Sequence, residues 1–213
     1  MNILTPFQET ILRELGHSSL SEAFFLTGGT ALSAFFLQHR YSEDLDFFTD
    51  QPEQVPQVLP ILQNIARRIG VRLEIRRQFK TFLEVFWHSA ENEILKCDFA
   101  ENSPYRLQPK IRSEEFGIFF DNALDVSCNK LSALFDRSAT KDFVDVFFID
   151  RELFPFSELL KNAKQKHVGL DDYWLAISLL KIEEFGPLPR MIKSVNIDEL
   201  KAFFLTQAKT LMT

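Results

Sequence analysis

The sequence predicts an α+β fold: a mixed β-sheet covered by helices, followed by a helical C-terminal lobe. Three observations carry that expectation. Strand-like runs at 23–26, 44–49, 71–77, 81–87 and 93–99 all fall before residue 121. One segment of helical period, 53–69, crosses between the early and late strands, so the sheet mixes a helical crossover with hairpins. Beyond residue 121 the apolar spacing is helical throughout, which divides the chain into an α/β lobe, 1–121, and a helical lobe, 122–213, that closes a cleft.

Taken in order, residues 5–16 open with Thr5-Pro6 as a helix start, carry Phe7, Ile11, Leu12 and Leu15 on one stripe and stop at Gly16. The apolar run 23–26 reads as a short buried strand ending at Gly28-Gly29, and Thr30 opens a mostly buried helix over 31–38. After the turn Arg40-Tyr41-Ser42, a second strand alternates Asp44 and Asp46 with Leu45 and Phe47, so both carboxylates share one face and both apolar residues the other. In 53–69, Val55, Val58, Leu59, Leu62, Ile65, Ala66 and Ile69 have helical period, Gly70 ends the run, and Pro60 predicts a kink or a later start. Phe79-Lys80 and the cluster Ser89 to Asn92 supply turns, so 81–87 and 93–99 form a hairpin or neighbouring antiparallel strands. Residues 100–121 read as a loop with a short strand near 117–120, and Asp121-Asn122 caps a helix over 123–137. Thr140 caps the next, 141–151, and helices at 156–166, 172–184 and 197–211 complete the chain, with Asp171-Asp172 as a further cap.

Composition bounds the function. The 213 residues, 46% hydrophobic, suffice for a sizeable core, and 23 are phenylalanine, many in pairs such as Phe24-Phe25, Phe147-Phe148 and Phe203-Phe204. Such pairs predict thick aromatic packing, with some rings left to line a cleft or partner surface. A net charge of −6 argues against nucleic-acid binding driven by bulk charge, although Arg67, Arg68, Arg72, Arg76, Arg77 and Lys80 make a local basic strip. Cys97 and Cys128 have neither metal-site nor disulfide spacing, Met1 is followed by no charged-then-apolar leader and no run is long enough to span a membrane, so the expectation is a cytoplasmic protein. His39, His88 and His167 lack partner spacing for a metal or triad and read as structural or surface residues.

The chemistry lies in 24–49. Glycines ahead of a helix let backbone N–H groups approach a polyphosphate at the positive helix end. Two carboxylates on one strand face repel unless a cation sits between them, and a hard divalent ion takes oxygen ligands. Alone, Gly-Gly-Thr is also a plain tight turn, and Asp-x-Asp is also a solvated edge. In this order and joined by one helix, they lay out a metal-dependent nucleotidyl transfer site. Gly28, Gly29 and Thr30, with Ser42, are the candidate phosphate grip, Asp44 and Asp46 the metal ligands, and Arg40 offsets the charge of the leaving pyrophosphate.

Gly28 to Leu32 followed by Arg40 to Phe47 resembles the signature of the nucleotidyltransferase AbiEii/AbiGii toxin family, within the DNA polymerase β-like superfamily. The resemblance continues at Lys130 to Leu134 with Arg137 and at Lys141 to Asp145, and so covers about 20–150. It implies a third carboxylate on a strand beside the first two. Asp98, on a strand face with Ile94 and Lys96, is the candidate, and Glu74, Glu84 and Glu93 read as exposed strand charges. It also implies that Lys130 neutralises a triphosphate and that Asp142 lies at the nucleotide rim, while Asp145 is expected to pair with Arg137 or Lys141. The resemblance further implies an NTP substrate with two Mg²⁺ ions, an acceptor that is a transfer RNA 3′ end or a protein, and a cognate antitoxin. Two other classes stay open: an antibiotic-modifying nucleotidyltransferase with a small cationic acceptor, and a nucleotide- or protein-binding module without turnover.

Overall fold

The computed structural model describes residues 3–103 and 105–212. They divide into two compact units: the chain up to Ala34 with Ser42–Asn122, and Phe35–Tyr41 with the chain from Ala123 onward. Residues 35–41, embedded in sequence between the glycine turn and the Asp44–Asp46 strand, thus cluster with the helical second unit.

The first unit is built on a mixed sheet of seven strands among the described residues: β1 (Phe25–Thr27), β2 (Leu45–Thr49), β3 (Arg72–Gln78), β4 (Phe82–His88), β5 (Ile94–Glu101), β6 (Ile111–Arg112) and β7 (Phe119–Phe120), in the order β3-β4-β5-β2-β1-β7-β6. β3, β4 and β5 form an antiparallel meander, so 81–87 and 93–99 do pair as expected; β2 runs antiparallel to β1 but parallel to β5. That parallel pair needs a crossover, which α4 (Val55–Ile69) begins. Alternation then sorts the side chains. Leu45, Phe47, Leu83, Val85, Trp87, Leu95, Cys97 and Phe99 are all buried, and Val58, Leu62, Ile65 and Ala66 are the buried face of α4, which packs on β3, β4 and β5. Phe99 lies at the centre, stacked on Phe47 at 5.2 Å and edge-on to Phe24 at 5.5 Å. Each fully buried side chain of this size contributes about 1.5–3 kcal/mol of apolar transfer.

Some expected boundaries move. The first strand extends to Thr27, and α3 (Gly28–Leu32) begins at the glycines, not at Thr30. It then widens into a π-helical turn, Ser33–Leu37, in place of a regular helix to residue 38. α4 is helical throughout Val55–Ile69 with Pro60 inside it, at the cost of the ladder bond to the Pro56 carbonyl. α1 (Pro6–Gly16) starts as expected, and its cap is reciprocal: Thr5 accepts from Gln8 N at 3.1 Å, and Gln8 Oε1 accepts from Thr5 N at 2.9 Å. α2 (Leu20–Ala23) is a short turn before β1.

The second unit is helical: α5 (Ala123–Arg137), α6 (Thr140–Glu152), α7 (Phe156–Lys166), α8 (Asp172–Leu180), which tightens into a 3-10 turn at Lys181–Glu184, and α9 (Ile197–Leu211). Thr140 is inside α6 and supplies no cap; its hydroxyl accepts from Gly186 N at 3.2 Å instead. α5 packs on α6, α7 and α8, and α8 on α9. The aromatic pairs meet here: Phe143 is edge-on to Phe204 at 5.0 Å, and Phe203 packs edge-on against Phe147, Phe156 and Phe204. Segment 35–41 is stitched in by an antiparallel bridge of Arg40 to Met191 and by the His39 carbonyl, which accepts from Ile192 N and Lys193 N.

Candidate active site

The carboxylates form a row across one sheet face. β1, β2, β5 and β4 are neighbours, and their register places Thr27 opposite Asp46, Asp46 opposite Asp98, and Asp98 opposite Glu84. Directly opposed residues share a face, so these side chains stand side by side. Asp44, two residues before Asp46, precedes the same face. Glu84, expected to be an exposed strand charge, is instead 7% exposed and belongs to this row. Its hidden position reflects strand pairing, which a local pattern does not contain.

The glycine turn meets this row. Gly28 has φ +70, and a Cβ there would overlap Asp46 Oδ2 and lie 2.9 Å from Asp46 Cγ. Only a residue without a side chain lets the turn approach the carboxylate so closely. Gly28→Ala is expected to cost about 1–3 kcal/mol in urea unfolding through the positive φ and the overlap, and to displace Asp46. Gly169→Ala, where a Cβ meets nothing within 4 Å, is the matched control and should change little. Thr30 Oγ1 donates to the Asp44 carbonyl, tying α3 to the start of β2, so this hydroxyl fixes the loop that carries the carboxylates. Ser42 belongs to the same loop, and its carbonyl accepts from Gln8 Nε2 at 2.8 Å.

Electrostatically the row is strained at its centre. Burial pushes the Asp98 carboxyl above its ordinary value, and the charges of Asp46 and Glu84 push the same way, while Lys96 opposes them. Lys96 Nζ donates to Asp98 Oδ2 at 2.7 Å and lies 3.6 Å from Glu84 Oε2. Asp98 Oδ1 is buried with no hydrogen-bond partner. Among the described residues no three His, Cys, Asp or Glu side chains already converge as a metal-ligand cluster. The donor set nevertheless fits a hard divalent cation: carboxylate oxygens only, two of the side chains directly opposed, and one oxygen buried and unsatisfied.

Arg40, Lys130 and Asp142 lie in the second unit, where each already has a partner. Asp145 is fully buried and is the hub. It accepts from Arg40 Nε at 2.7 Å and Nη2 at 2.8 Å, is hydrogen-bonded to His39 Nε2 at 2.7 Å, and pairs with Lys130 Nζ at 2.8 Å. The expected pairing of Asp145 with Arg137 or Lys141 is therefore wrong. It is Asp142, also fully buried, that takes Arg137, in a bidentate pair at 2.7 Å for each bond. The two aspartates are three positions apart, yet the partner of Asp142 lies five residues before it, whereas His39 and Arg40 lie more than a hundred residues before Asp145. Burial opposes ionisation of Asp145; the charges of Lys130 and Arg40, with hydrogen bonds from Arg40 and His39, outweigh it and hold the carboxyl well below its usual range. Burial, with the two cations, lowers His39 despite Asp145, so the histidine is neutral and the hub keeps a net positive charge.

The basic strip is largely neutralised within its own unit. Arg68 pairs with Glu14, Arg72 and Arg76 with Glu74, Arg77 with Glu84, and Lys80 with Glu53. Among the described residues no helix is long and apolar enough to cross a membrane.

Similarity to known proteins agrees with this architecture. An uncharacterized protein of Aquifex aeolicus is 29% identical over 185 residues, covering 86% of this chain and 85% of that protein. JHP933 of Helicobacter pylori shares the fold with a TM-score of 0.60 at 17% identity, over 95% of this chain and 87% of that one. MenT4, a nucleotidyltransferase toxin of Mycobacterium tuberculosis, shares it with a TM-score of 0.63 at 15% identity, over 97% and 82%. The model of the nucleotidyl transferase AbiEii toxin, of a Type IV toxin–antitoxin system, matches residues 10–206. That match takes in the glycine turn, the carboxylate row and the Asp145 hub, and on it the chain belongs to the AbiEii nucleotidyl transferase toxin family.

Proposed function

We propose that this protein transfers a nucleoside monophosphate from an NTP to a macromolecular acceptor, a transfer RNA 3′ end or a protein side chain, as the toxin of a toxin–antitoxin pair. One observation carries the reading: the Gly28 turn closes onto Asp46, which stands directly opposite Asp98. Asp44, Asp46 and Asp98 would hold two Mg²⁺ ions, which when bound supply charge neutralisation and Lewis-acid polarisation of the transferred phosphate. The chain's own groups do the rest. Gly28 and Gly29 admit the phosphates to backbone N–H groups, and Thr30 and Ser42 keep the loop that carries Asp44 in place. Asp98, its carboxyl raised by burial, is the group that draws the proton from the attacking hydroxyl. In the second unit Lys130 and Arg40 share their positive charge with Asp145, and Asp142 fixes Arg137.

The test is to incubate the protein with each labelled NTP, Mg²⁺ and, in separate reactions, total RNA, total protein or an aminoglycoside. Label on RNA or protein, absent with Asp46→Ala, is the expected result. Label on the aminoglycoside would replace the toxin reading with an antibiotic-modifying one. No label with any acceptor would leave a binding module.

A further inference from the structure

The carboxylate row contains a cation of its own. Lys96 precedes Asp98 by two residues on β5 and so stands on the same face, where its ammonium is bonded to Asp98 Oδ2 at 2.7 Å and faces Glu84 Oε2 at 3.6 Å. Glu84 is itself fixed by Arg77, through bonds of 3.2 and 2.7 Å to its two oxygens. Asp46, Asp98 and Glu84 are directly opposed on three neighbouring strands, an arrangement of like charges that is destabilising unless something positive lies among them. Lys96 meets that need at Asp98, the middle member. It occupies one oxygen of the residue whose other oxygen is buried and without a partner.

We propose that Lys96 is a tethered counter-cation that holds the row together before catalysis and competes with a divalent ion for Asp98. This rests on the metal reading given above. For a metal to reach Oδ2 of Asp98, the ammonium must leave it, and Glu84 Oε2, already paired with that ammonium at 3.6 Å, is placed to keep it. Lys96 is then a positioning residue. It keeps affinity for a bare divalent ion low, so that the site loads when the ion arrives with the negative charge of a triphosphate.

The probe is Mn²⁺, titrated into the full-length protein without nucleotide and followed by the paramagnetic resonance signal of the free ion. Lys96→Met is expected to lower the Mn²⁺ dissociation constant at least about tenfold, since it removes a unit charge within a few ångströms of the ion. Lys96→Gln should do the same, and Lys96→Arg, which keeps the charge, should bind like the native protein. A purely structural lysine would not give tighter binding on removal. Native binding with no gain in either neutral variant overturns the counter-cation while leaving the metal reading intact. No Mn²⁺ bound by native protein or by either neutral variant, with melting curves showing all three folded, overturns the metal reading and this inference with it.

Discussion

Asp46→Ala is expected to reduce nucleotidyl transfer by about a thousandfold or more while leaving the fold in place. The size follows from the position. Asp46 is the member of the row in contact range of the Gly28 turn and directly opposite Asp98, so one substitution removes both an oxygen ligand and the group that joins the phosphate side to the acceptor side. Electrostatic and metal-borne stabilisation of a transferring phosphoryl group is worth several kcal/mol, and each 1.36 kcal/mol is about a factor of ten. Stability should fall little, because Asp46 is only half-buried and its removal relieves repulsion within the row. Single-turnover transfer rates beside urea midpoints separate the two effects. A variant that loses the midpoint along with the rate would make Asp46 a structural residue.

Asp145→Ala should do the reverse, acting first on stability. Its carboxylate holds two permanent cations, Arg40 at 3% exposure and Lys130 at 5%, together with His39. Removing the anion leaves two buried positive charges uncompensated, and breaking a buried pair in this way costs about 3–5 kcal/mol. That is a large fraction of the roughly 5–15 kcal/mol by which a folded domain is stable. Arg40 and His39 come from segment 35–41, so the loss also loosens the bridge to Met191.

The same cluster predicts a pH dependence with a definite sign. Burial lowers His39 from 6.5, so below that pH the unfolded chain binds a proton that the folded chain refuses. Its share of stability is complete above pH 6.5 and declines as the pH falls beneath it. Asp145, held well below 3.8, adds a second decline on further acidification. Urea midpoints should therefore fall between pH 7.5 and 5.5, and His39→Gln should flatten that slope.

What the sequence makes legible is what alternation makes legible. Leu45 and Phe47 against Asp44 and Asp46 orient β2, and Leu95, Cys97 and Phe99 against Lys96 and Asp98 orient β5. The row itself depends on which strands pair. The parallel pairing of β2 with β5 spans 52 residues from Asp46 to Asp98, and it is this pairing and that of β4 with β5 that bring Glu84 in from the surface. Lys96 carried a usable signal, its two-residue spacing from Asp98. The Asp145 hub carried none: Arg137 and Lys141 are the cations just before it in sequence, while His39 and Arg40 lie 106 and 105 residues away. Segment 35–41 shows why apolarity alone is insufficient. Phe35, Phe36 and Leu37 signal burial, but not that their partners belong to the second unit.

A crystal structure with Mn²⁺ and a non-hydrolysable NTP, the ion located by anomalous scattering, puts the central claim to its most direct test. The account predicts an ion about 2.0–2.6 Å from oxygens of Asp44 and Asp46, with the triphosphate against the backbone of Gly28 and Gly29. An ion and triphosphate bound away from that turn, with the Asp46 and Asp98 carboxylates untouched, would contradict it.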